Sequence, residues 1–147
     1  MPEHIRILSL SKRFLDAAKD LSQQGRQGWG FPVPHYLAGH AIELALKAHL
    51  ADSGSNDAAL RKLGHDLEKA MARSDAKVLA VLAQDEAAIR WLNPYYAGKE
   101  LEYTVEGAAG RMISVPDVSF LLRAAQKLHD HLDRAFRGEH RAKSSGA

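Results

Sequence analysis

The stretch PHYLAGHAIELALKAHLAD, residues 34–52, decides the fold. Leu37, Ala41, Leu44, Ala45 and Ala48 recur at three- and four-residue steps, and Ile42, Leu46 and Leu50 widen that stripe nearly all round the cylinder. A helix that is apolar on most sides must be covered on most sides, so this one is predicted to lie at the centre of a helical protein. Pro34 suits its first turn, where a missing N–H is no loss.

On the N-terminal side, Leu10, Phe14, Ala17, Ala18 and Leu21 predict an amphipathic helix over 9–24, with Lys12, Arg13, Asp16, Lys19 and Asp20 facing water. Gly25, Gly28, Gly30, Pro32 and Pro34 then break helical dihedrals, and Trp29 and Phe31 are read as plugs for the end of the bundle. On the C-terminal side, the loop 53–57 supplies capping side chains. Leu60, Leu63, Leu67, Ala70 and Met71 keep a helical period across Gly64, where the helix is expected to stop and restart at His65. Ser74 is the expected cap of a helix over 75–92.

Asn93-Pro94, Gly98, Gly107, Gly110 and Pro116 interrupt the next stretch, and β-prone runs at 101–105 and 111–115 read as a small hairpin or structured loop. Asp117 caps a last helix, to about residue 136, that buries Val118, Leu121, Leu122, Ala125, Leu128, Leu132 and Phe136. The predicted fold is all-α, an antiparallel four- or five-helix bundle with that hairpin before its last helix. Residues 1–137 form its one domain, and 138–147 are expected to be a flexible tail without an apolar anchor.

Composition narrows the function classes. The chain has 147 residues, room for a single core, with 20 Lys and Arg against 18 Asp and Glu, so it is no polycation. Having no cysteine, it has no disulfide scaffold, thiol nucleophile or Cys-based metal site. No apolar run spans a bilayer and the N-terminus carries no signal-like pattern, so a cytoplasmic protein without membrane contact is expected. The glycines at 25, 28 and 30 stand in the wrong order for a phosphate-binding loop, and they follow a helix rather than a strand.

Eight histidines invite a metal check. His40 with Glu43, and His129 with Asp133, have helical ligand spacing, but the inward Glu-x-x-His pairs of di-metal bundles are absent, so no metal and no cofactor is expected. Glu43 and Lys47 form an i,i+4 pair on a largely apolar helix, which predicts a partner on another helix for the buried charge. His65 and Asp66 follow Gly64 at a helix start, where local capping is the simplest role. Arg123 and His129 lie six residues apart, about 120° round a helix and roughly 9 Å along it. A guanidinium that grips phosphate and an imidazole that moves protons near neutral pH suit phosphodiester cleavage. Arg134 and His140 repeat that spacing, and Arg134, Arg137, Arg141 and Lys143 against Glu139 make the C-terminal end basic.

Taken together, YLAGHAIELALKAHL at 36–50, LGHDL at 63–67, the loop LNPYYAGKELEY and a final helix with Arg123 and His129 resemble the HEPN superfamily of small prokaryotic helical bundles, over residues 14–136. The Glu43 to Lys47 spacing and the Gly64-His65 step match recurring features of such sequences. The resemblance implies a homodimer. In active members it implies a metal-independent ribonuclease of toxin or defence type, with RNA as substrate and an antitoxin or other protein as partner. Arg123 would then polarise the scissile phosphate, and His129 would act as general base or acid while the RNA 2′-hydroxyl attacks. Glu43, Lys47, His65, Arg134 and Arg137 are the binding residues that go with this reading. Active members place a polar residue, often Asn, after the arginine, and here Ala124 stands there. A non-catalytic dimeric bundle that binds a nucleotide, a nucleic acid or a protein is therefore the alternative.

Overall fold

The computed structural model describes residues 1–23, 33–98 and 117–145, with side chains through Glu139. The expected hairpin, Trp29 and Phe31 lie outside the described residues. The described residues are helical and include no strand: α1 Glu3–Gln23, α2 Val33–Asp52, α3 Asp57–Leu63, α4 Leu67–Ala72, α5 Ala76–Leu82, a 3-10 turn Ala83–Asp85, α6 Glu86–Ala97 and α7 Val118–Ser145.

Helix α2 is central, as its composition requires. Ala38, Ala41, Ile42, Ala45, Leu46 and Ala48 are fully buried, and α1, α4, α6 and α7 all pack on it. Helix α1 runs antiparallel to α2, with the Ser11 hydroxyl donating to the Ala41 carbonyl at 2.7 Å and His4 beside Asp52. Helix α7 runs back along α1, pairing Lys19 with Gln126 near one end and His4 with Phe136 near the other.

Gly39 lets α6 come close. A Cβ there would stand 2.9 Å from Leu92 and 3.1 Å from the Tyr96 ring.

Local signals fix the starts of α3, α4 and α5. Asn56, Asp66 and Asp75 each accept from the backbone amide three residues on, at 2.9, 3.0 and 2.9 Å. The expected Ser74 cap is thus displaced by one residue, because the Ser74 hydroxyl turns back to the Ala70 carbonyl. Gly64 has φ 57° and ψ −132°, a conformation that only glycine adopts without strain, and it ends α3.

Four expectations about helix faces and ends are corrected. Helix α1 begins six residues early and buries Leu8, Ser11, Leu15 and Ala18, because the Ser11 bond to Ala41 makes that stripe the inner one; Leu10 and Leu21 are left exposed. The helix expected over 75–92 is split by the 3-10 turn, which swings Asp85 inward.

Helix α6 then passes through Asn93-Pro94 instead of stopping. Pro94 deprives only the carbonyl of exposed Arg90 of its usual donor, while the extension past Leu92 buries Asn93 and Tyr96. Asn93 is itself a cap: its Oδ1 accepts from Leu67 N at 2.7 Å, at the start of α4. Helix α7 continues through Gly138 to Ser145, where a tail was expected. A helical glycine costs only about 1 kcal/mol against alanine, and its neighbours Arg137, Glu139, Arg141, Ala142 and Lys143 are good to moderate helix formers.

Candidate functional site

Three of the candidate binding residues meet around one buried carboxylate. Glu43 Oε2 accepts from Lys47 Nζ at 2.9 Å, and its Oε1 accepts from His65 Nδ1 at 2.9 Å and from the Tyr96 hydroxyl at 2.6 Å. Lys47 also donates to the Gly64 carbonyl at 2.8 Å, so the glycine-only turn both aims that oxygen and delivers His65. His40 Nδ1 is 3.7 Å from Glu43 and instead bonds the Tyr96 hydroxyl at 2.8 Å.

The hydrogens follow from the acceptor. An ionised carboxylate only accepts, so His65 carries its proton on Nδ1, and the Tyr96 hydroxyl, having donated to Glu43, accepts from His40 Nδ1–H. Burial raises the Glu43 pKa, but the contacts from His40, Tyr96, Lys47 and His65 outweigh it and hold the carboxyl well below the usual carboxylate range. Glu43 is thus a fixed internal anion, and among its partners His65 is the one that reaches solvent most. The signals missed in the sequence are Tyr96, hidden behind a proline that reads as a helix end, and the second role of His40.

Arg123 sits elsewhere, on the first turns of α7. Its Nε lies 3.1 and 3.2 Å from the two Asp85 oxygens, Nη2 also bonds Asp85, and Nη1 takes no part in the pair. Lys127 Nζ approaches the same carboxylate at 3.5 Å. The Asp85 side chain is fully buried, whereas those of Arg123 and Lys127 are 42% and 37% exposed. The guanidinium carbon is 5.3 Å from the centre of the Phe120 ring. Beside it opens a hollow of about 280 Å³ lined by Gln84, Asp85, Ala87, Ala88 and Phe120. An anchored guanidinium, a second cation and an exposed aromatic beside a hollow form a surface that can hold a phosphate and a flat ring together.

His129 does not share that surface within the chain. Burial lowers its pKa, Asp133 and Asp130 on its own helix oppose the shift, and Lys12 and Asp16 act on it from α1. Its Nδ1 is buried without a hydrogen-bond partner among the described residues. Arg123 instead turns to the 3-10 turn, so the structure gives the two residues different neighbours. Ala124, directly after Arg123, is fully buried. Arg134 and Arg137 are exposed near the far end of α7, with Arg137 Nε 3.1 Å from Asp133. Nothing in the sequence singled out Asp85, Lys127 or Phe120, since Asp85 falls mid-way along what reads as one continuous helix.

Comparisons with protein families, curated proteins and solved structures return no match for this chain.

Proposed function

We propose that this protein is a HEPN-like antiparallel helical bundle that pairs as a homodimer and binds single-stranded RNA without cleaving it. Arg123 and Lys127 would contact phosphate, and Phe120 would stack a base at the hollow. The observation that carries this reading is the Arg123 anchorage: Asp85 occupies Nε and Nη2 and leaves Nη1 outside the pair, beside an exposed ring. Two findings favour binding over cleavage. The charged groups acting on His129 are Asp130, Asp133, Lys12 and Asp16, while the Arg123 guanidinium is held by Asp85, and the position after Arg123 is a fully buried alanine.

Fluorescence anisotropy with mixed-sequence single-stranded RNA in chelator, followed by a denaturing gel of the same samples, tests the proposal. Saturable binding that weakens with salt, intact RNA and unchanged binding in His129→Ala are expected. Phe120→Ala, at an exposed position, should weaken binding about tenfold, since stacking on an aromatic ring contributes about 1–3 kcal/mol per base. RNA cleavage that disappears in His129→Ala would establish the ribonuclease reading instead. Absence of RNA binding would remove both.

A further inference from the structure

Toward the other end of α7, three helices each bring one metal-ligating side chain to one place. They are His4 from the first turn of α1, Asp52 from the last residue of α2 and Glu139 from the part of α7 beyond Phe136. One donor atom of each lies within 4.8 Å of the other two, and His4 Nε2 is 3.6 Å from Asp52 Oδ1. The sequence separates these residues widely, so their meeting is a product of the fold alone.

Packing already holds two of the three. The His4 ring stands edge-on to Phe136 with centroids 4.6 Å apart, and the His4 and Asp52 side chains are each 20% exposed. Glu139 reaches the pair from the solvent side. Donors bound about 2.0–2.2 Å from an ion stand roughly 3–3.5 Å apart in tetrahedral or octahedral sites, so small side-chain rotations would close the set.

We propose that His4, Asp52 and Glu139 bind a divalent first-row transition metal, zinc or manganese in chemical class, with water completing its coordination. One imidazole nitrogen and two carboxylate oxygens suit such ions better than Ca²⁺ or Mg²⁺, which take oxygen ligands. The ion joins the start of α1, the end of α2 and the outer part of α7, and so fixes the α7 extension to the bundle. This site is independent of the RNA-binding proposal.

The test is calorimetric titration of Zn²⁺ into the full chain after chelator treatment, with thermal unfolding followed at each ratio. Binding that saturates at one ion per chain and raises Tm is expected, with Mn²⁺ weaker than Zn²⁺ and Mg²⁺ without effect. Glu139→Gln, at an exposed position that leaves folding intact, and His4→Ala should each weaken binding at least as much as removing an outer-shell partner does, roughly 10–100-fold. The chain has eight histidines, so Zn²⁺ binding of equal strength in Glu139→Gln and His4→Ala overturns the proposal. So does a titration that fails to saturate at one ion.

Discussion

Glu43 and Asp85 are both buried carboxylates, at 4% and 0% side-chain exposure, yet the protein surrounds them differently. Around Glu43 the partners come from three places in the fold: Lys47 on α2, His65 after the Gly64 turn and Tyr96 on α6. Lys47 and Tyr96 are engaged inside, by Glu43, the Gly64 carbonyl and His40, and His65 is the one that reaches water most. Around Asp85 the partners are two half-exposed cations, and one of them keeps Nη1 outside the pair. A buried anion with inward partners ties helices together. A buried anion with outward partners holds surface cations in place and leaves them able to meet a second anion.

The largest effect expected from this contrast is at Glu43. Glu43→Gln removes the charge and turns one accepting oxygen into an amide NH2, so Lys47, His65 and Tyr96 are left to share a single neutral acceptor, and breaking a buried ion pair from one side costs about 3–5 kcal/mol. Urea unfolding at pH 7 measures it. Acid should then shrink the gap between wild type and variant. Because the folded pKa of Glu43 is depressed, its stabilisation is complete above the unfolded glutamate value of about 4.3 and is lost as pH falls below it toward the folded value. His49 and His129 have lowered pKa values through burial, so both proteins lose stability as pH falls below about 6.5, and that loss cancels in the difference. A gap that stays constant from pH 7 to pH 3 would break the assignment of Glu43 as the ionised centre.

Asp85→Asn should cost less, about 1–3 kcal/mol, because water can solvate Arg123 and Lys127 when the charge is lost. It should also tighten RNA binding, since the guanidinium and ammonium no longer share an anion with the phosphate. A loss as large as that of Glu43→Gln would mean that the two carboxylates do the same structural work. Weaker RNA binding would mean that Asp85 is needed to aim Arg123 more than it competes for it.

How much of this was legible in the sequence follows the same division. The centrality of α2, the buried Glu43–Lys47 pair with its need for a cross-helix partner, and the interruption at Gly64 were all readable, because periodicity, i,i+4 spacing and glycine chemistry are local. The face of α1 was not, since a serine reads as an outer residue until a carbonyl on another helix accepts its hydroxyl. Tyr96 was hidden because Asn93-Pro94 signals an end that tertiary burial overrides. Asp85 was hidden because a 3-10 turn between two helices leaves the apolar period of 75–92 almost unbroken. In each case what was missed is a partner supplied from far along the chain.

The smallest of these effects tests how the Glu43 cluster is wired. Tyr96→Phe keeps the ring that packs on Gly39 and removes only the hydroxyl, which donates to Glu43 and accepts from His40. Glu43 Oε1 still has His65, so the carboxylate stays paired, and the group left without a partner is His40 Nδ1, whose side chain is 19% exposed and can turn to water. The expected loss is therefore that of one hydrogen bond, about 1 kcal/mol, well short of the Glu43→Gln value. It is measurable as a shift in the urea midpoint with an unchanged slope. A loss equal to that of Glu43→Gln would show that the Tyr96 hydroxyl, and not the Lys47 and His65 contacts, is what makes the buried charge tolerable.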